Sequence, residues 1–148
     1  MQSKRFLYLG ILLVLAVAVA ACSGKSQPSA PAEAPDIGSL SKNADGYVDI
    51  SVDQLAAMLP NKDFTLVNVH IPYAGDIPQT DLEIPYDQIE QNLSQLPDKD
   101  APIVVYCRSG AMSTVAAKKL VSLGYTNILE LDGGMNAWKA AGNELVTR

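Results

Sequence analysis

The run Ile103-Val104-Val105-Tyr106 constrains this chain more than any other stretch. A strand with one wet face alternates apolar and polar residues, whereas an unbroken apolar run of this length reads as a strand covered on both faces. The chain then turns at Cys107-Arg108-Ser109-Gly110 into a helical pattern over Ala111–Leu123. There Met112, Val115, Ala116, Leu120 and Leu123 share one face and Gly124 marks the stop. A covered strand feeding straight into a helix is the repeating unit of a parallel sheet clad by helices. The same alternation runs through the neighbouring sequence. Tyr47–Ile50 is a short β-type run. Ser51 and Gln54 form a capping box ahead of a helical face (Leu55, Met58, Leu59) that ends at Pro60. Phe64–Val69 has strand length. Ile71–Pro85, with three prolines and a glycine, reads as a loop. Asp87 with Glu90 offers a cap for a helix carrying Ile89, Leu93 and Leu96. Asn127–Leu131 is a further strand, and Asn136–Ala141 a short helix closed by Gly142. The fold class expected is α/β, a three-layer domain with a mostly parallel sheet flanked by helices.

The N-terminal third is of a different kind. Met1–Arg5 is short and basic, Phe6–Val19 is almost wholly apolar, and Ala20-Ala21 precede Cys22. That is the layout of a secretory signal, and the apolar run is short for a membrane span of about 20 residues. Val19-Ala20-Ala21-Cys22 resembles the bacterial lipobox. The resemblance implies removal of residues 1–21, a diacylglycerol on the Cys22 thiol and residence in the bacterial cell envelope. The foot would rest on the outer face of the cytoplasmic membrane or on the outer membrane. Residues 22–46 are rich in Ser, Ala and Pro and carry Ile37 and Leu40 as their large aliphatic residues. They are expected to form a flexible linker, with the folded domain spanning 47–148. The net charge is −5. A chain starting at Cys22 loses Lys4 and Arg5 and no acid, so it stands at −7, which argues against nucleic acid as a partner. Two cysteines and one histidine exclude a zinc cluster.

Chemistry concentrates at Cys107. Ligands of open α/β sheets bind beyond the carboxyl ends of the strands, where this cysteine lies. A tight strand-to-helix loop turns backbone N–H groups inward, and the helix N-terminus adds partial positive charge. Both favour a thiolate over a thiol. Gly110 lets the backbone curl, and Arg108 puts a cation at the rim.

Tyr106-Cys107-Arg108-Ser109-Gly110 resembles the active-site loop of the rhodanese family of sulfurtransferases. Leu123-Gly124-Tyr125, Asn127–Leu131 and Asp132-Gly133-Gly134-Met135-Asn136-Ala137-Trp138 resemble that family's closing strand, Gly-Gly turn and last helix. The resemblance implies a five-stranded parallel sheet and a nucleophilic Cys107 that takes sulfane sulfur as a persulfide. It implies a substrate-binding cradle of Arg108, Ser109, Gly110, Ala111 and Met112, and no metal or organic cofactor. The partners implied are a small anionic sulfur donor such as thiosulfate and an external thiol, cyanide or protein acceptor. The chain is expected to act as a monomer. Related dual-specificity phosphatases carry an arginine six places after the cysteine; here that place is Ser113, which argues against phosphate hydrolysis. The alternative is a low-turnover rhodanese-like module that carries a persulfide, senses redox state or binds a protein.

The chain departs from the family at three places. Many relatives read Asp-Val-Arg where this chain has Asn68-Val69-His70, carry arginine where it has Met112, and carry histidine near Asp76. A charge pair between positions 68 and 112 is expected to have been lost as a unit, leaving the loop held by packing. His70 is expected to be a structural or rim residue rather than a dyad partner of Cys107, and Tyr125 and Trp138 to serve in core or rim packing.

Overall fold

The structure, a computed structural model, describes residues 34–147. Five strands form one sheet in the order β1-β5-β4-β2-β3, each neighbour parallel. They are β1 (Val48–Ile50), β2 (Thr65–Asn68), β3 (Leu82–Glu83), β4 (Ile103–Tyr106) and β5 (Ile128–Leu131). The helices are α1 (Val52–Met58), α2 (Ala111–Ser122) and α3 (Gly134–Ala140). All four residues of β4 are buried, as its apolar run requires of a central strand.

Side chains of successive strand residues point to opposite faces, so the core divides in two. On one face Ile50, Leu66, Val104, Tyr106, Leu129 and Leu131 pack with Leu55 and Met58 of α1 and with Met135 and Trp138 of α3. On the other, Val67, Ile103, Val105 and Ile128 pack with Ala116, Ala117 and Leu120 of α2 and with Ile89. Cys107 belongs to this second face. The capping box of α1 is complete: Ser51 Oγ accepts from Gln54 N–H and Gln54 Oε1 accepts from Ser51 N–H. Such a cap contributes about 1 kcal/mol.

The structure corrects four expectations. The packed unit begins before Tyr47. Asp36 caps a 3-10 turn at Ile37–Ser39, Ile37 and Leu40 pack against the α1 face, and Lys42 Nζ donates to Thr126 O at 2.7 Å. Two apolar residues with a local cap suffice to tie this stretch down. Within 71–85, where the prolines suggest a loop, lies β3; with two residues on the sheet edge, it leaves no periodic signal in the sequence. The Ile89, Leu93, Leu96 segment is a 3-10 helix, Glu90–Gln95, broken by non-helical angles at Asn92, and Asp87 does not cap it. On α2 the buried face is Ser113, Ala116, Ala117 and Leu120, while Val115 is exposed. Small residues let the helix lie close to the sheet, and hydrophobicity alone does not reveal that.

The apolar run expected to be a signal, the lipobox-like stretch and Cys22 lie outside the described residues, as do residues 22–33 of the expected linker. No helix among the described residues is long and apolar enough to cross a membrane. Removing residues 1–46, compared with removing 1–35, is expected to cost about 2 kcal/mol through the lost burial of Ile37 and Leu40. Thermal or urea unfolding of the two chains measures it.

Candidate active site

Cys107 follows β4 at the carboxyl end of the sheet, and α2 begins four residues later. The turn between them depends on Gly110, whose φ of 95° is left-handed and places it as the N-cap of α2. The sulfur faces donors. Gly110 N–H donates to Cys107 Sγ at 3.2 Å and the Ser113 hydroxyl reaches it at 3.4 Å. Burial pushes the Cys107 thiol up. The Ser113 hydroxyl and the backbone N–H groups of Ser109, Ser113 and Met112 push it down, and they prevail. The first N–H groups of a helix have no partner inside it, so a thiolate at this position satisfies them.

The loop's outer side is fixed just as firmly. Met135 N–H donates to Cys107 O and Asn136 N–H to Arg108 O, each at 2.9 Å. Across a trans peptide the C=O and the next N–H point in opposite directions. Holding these two carbonyls toward α3 therefore turns the N–H groups of Arg108 and Ser109 the other way. The approach is possible because Gly134 lacks a side chain: a Cβ there would lie 2.2 Å from Cys107 O. Backbone hydrogen bonds to α3 hold the loop from outside.

Arg108, Ser109 and Ala111 are exposed, with Gly110 and Met112 half-buried around the sulfur. Met112 meets His70, with Sδ and Nδ1 3.4 Å apart. Asn68 has other partners. Its Nδ2 donates to Gly75 O and Asp76 Oδ1, and its Oδ1 accepts from His70 N–H. The expected relation between positions 68 and 112 is thus corrected: position 112 answers position 70, and position 68 answers Asp76. A carboxylate at 68 would face the Asp76 carboxylate, whereas the amide of Asn68 donates to it. Tyr106 OH takes part in the same network, accepting from Ile77 N–H at 3.0 Å and donating to Asp76 Oδ1 at 3.3 Å. His70 is buried, and burial followed by the nearby Arg108 guanidinium lowers its pKa.

Two residues that the sequence reading did not place in the site are joined to it. Ser113 is fully buried and its hydroxyl touches Cys107 Sγ, Gly110 O and Glu130 Oε1. Glu130 is a buried carboxylate on β5. The signal was present in the sequence: Ile128-Leu129-Glu130-Leu131 sets an acid inside an apolar strand, and acids are seldom fully buried without a partner. Among the described residues no group of His, Cys, Asp and Glu is placed to hold a metal ion. A depression of about 330 Å³, lined in part by Ile37, Met58, Asn61, Pro102 and Asn127, lies at the opposite end of the sheet, among residues that precede the strands.

Residues 47–141 match the family of rhodanese-like domains. The chain belongs to the rhodanese family. Among its relatives, a sulfurtransferase of Allochromatium vinosum is 36% identical over 102 residues, covering 66% of this chain and 94% of the relative. A thiosulfate sulfurtransferase GlpE of Pseudoalteromonas translucida is 31% identical over 109 residues, covering 69% and 98%. The fold matches a rhodanese-related protein of Thermoplasma volcanium with a TM-score of 0.60 at 27% identity, covering 69% of this chain and all of that one. The five-stranded parallel sheet of this rhodanese domain agrees with the α/β architecture expected from its sequence.

Gly134→Ala drives a methyl group into the Cys107 carbonyl at a left-handed position. It is expected to cost about 2–4 kcal/mol of stability. The rate of Cys107 alkylation near neutral pH should fall by about tenfold as the donors leave the sulfur. Thermal unfolding and iodoacetamide kinetics check the two effects.

Proposed function

We propose that this rhodanese domain is a sulfurtransferase that carries sulfane sulfur on Cys107. The observation behind the reading is the ring of donors at Sγ: Gly110 N–H at 3.2 Å and the Ser113 hydroxyl at 3.4 Å, on a thiol whose pKa is lowered. The Cys107 thiolate attacks the outer sulfur of thiosulfate, the S–S bond of the donor breaks, and sulfite leaves with the electron pair. Cys107 then holds a persulfide anion. A cyanide or thiolate acceptor attacks its outer sulfur and restores the thiolate. Charge balances in both steps, and the same donors serve thiolate, persulfide and bound anion. Arg108, exposed at the rim, supplies the charge that draws an anionic donor, and the loop from Arg108 to Met112 cradles it. Cys107 is 1% exposed, which suits a donor that presents one terminal sulfur. The same enclosure favours the second reading, a persulfide carrier that gives up its sulfur to one dedicated partner. Phosphate-ester hydrolysis is not part of the proposal, since Ser113 stands where an arginine would bind the phosphate.

The setting we propose is extracytoplasmic. Cys22 would carry lipid, and residues 23–35 would link it to the packed domain, placing the site in the bacterial cell envelope. The acceptor thiol then comes from outside the chain, because Cys107 is the free cysteine of the domain.

Incubation with thiosulfate is expected to add about 32 Da to the protein and to sustain thiocyanate release when cyanide is supplied. Cys107→Ala should show neither. A persulfide that forms once and does not turn over selects the carrier, and no adduct from any sulfane donor contradicts both readings.

A further inference from the structure

Glu130 has no part in the sulfur-transfer steps above, yet it sits one hydroxyl away from the nucleophile. It lies on the sheet face that α2 covers and is 3% exposed. Its Oε1 hydrogen-bonds Ser113 Oγ, which in turn lies 3.4 Å from Cys107 Sγ. The Ser113 hydroxyl carries a single proton and has three acceptors around it: Sγ, Gly110 O at 3.1 Å and the Glu130 carboxylate. An ionised carboxylate is the strongest of the three and takes the proton, leaving Sγ without this donor. A protonated Glu130 reverses the order. Its O–H donates to Ser113 Oγ, and the Ser113 proton is then free to point at the sulfur.

We propose that Glu130 is a positioning residue that, through Ser113, receives the proton leaving the Cys107 thiol and thereby directs a hydrogen bond onto the thiolate. The Cys107 S–H bond breaks as the proton passes to Ser113 Oγ, and the original Ser113 O–H proton passes to Glu130 Oε1. The products are a thiolate and a carboxylic acid, with no change in total charge and no other reactant. The inference rests on Cys107 being the nucleophile.

The surroundings suit a carboxyl that titrates late. Burial is the chief cause, and the Asp49 carboxylate on the adjacent β1 and the Asp132 carboxylate beyond β5 act in the same direction. The Ser113 hydrogen bond opposes them, and the group is pushed up to about 7. From β4 the register partner is the apolar Val105. From α2 and its preceding loop the facing groups are Ser113 and the Cys107 thiol. Among the described residues no ion pair joins Glu130.

The test is the rate of Cys107 alkylation by iodoacetamide from pH 4.5 to 10, followed by mass on the purified protein, with circular dichroism to verify folding. Two groups sharing a proton titrate as a pair, so the natural chain is expected to show two inflections. Glu130→Gln, a neutral isostere that still bonds Ser113, should show one inflection, with the thiolate fully formed at least about one pH unit lower. Ser113→Ala removes the intermediary and should slow alkylation below pH 7 by about tenfold. A purely structural Glu130 would change melting temperature without changing the number of inflections. A single-step profile in the natural chain that coincides with that of Glu130→Gln overturns the proposal, as does a Ser113→Ala profile equal to the natural one. Alkylation needs no sulfur donor. Two inflections without thiocyanate release would therefore count against the transferase reading alone, and thiocyanate release with coincident profiles against this inference alone.

Discussion

The site depends on two backbone hydrogen bonds, from Met135 N–H to Cys107 O and from Asn136 N–H to Arg108 O. They join the end of the central strand to the start of the last helix, two segments far apart in sequence. Their consequence is geometric. With those carbonyls held outward, the N–H groups of the loop face inward, and the sulfur of Cys107 meets donors in place of lone pairs. Gly134 makes the contact possible, because any side chain there would occupy the position of Cys107 O. Gly110 completes it by admitting the left-handed turn that starts α2. Two residues that have no side chains thus shape the loop that brings backbone donors to the thiol.

Around this loop the chain has rebuilt its polar contacts locally. Asn68 donates to Asp76, Tyr106 OH bonds Asp76 and Ile77 N–H, and Met112 rests on His70. A charge at either of positions 68 and 112 would alter a different partner. The two buried carboxylates, Asp76 and Glu130, are assigned different jobs by their surroundings. Asp76 ties the 71–76 segment to β2 and, through its backbone bridge to Val146, to the C-terminal segment. Glu130, on the opposite face of the sheet, is linked to the sulfur through Ser113.

Much of this was legible in the sequence. The apolar run Ile103–Tyr106 implies a strand covered on both faces, and its abrupt change at Cys107 locates the loop. The Ser51–Gln54 spacing implies a cap that is present in full. Other features were hidden for physical reasons. A two-residue edge strand such as β3 has no period to detect. Ile37 and Leu40 are too few to distinguish a docked segment from a free one until their partners on the α1 face are known. Val115 looks like a core residue by type but faces solvent, because α2 packs through Ala116 and Ala117. The Ser113–Glu130 link crosses from a helix to a strand, so no local pattern announces it, although an acid inside β5 is an outlier that marks the position.

The central claim is that the loop donors are prearranged for a charged sulfur. A crystal structure of the protein after reaction with thiosulfate tests it directly. The account predicts a second sulfur on Cys107 Sγ within hydrogen-bonding distance of the loop N–H groups, with the Met135 and Asn136 contacts unchanged. An outer sulfur turned to solvent, or a loop that has left Gly134 to accommodate it, would contradict the account.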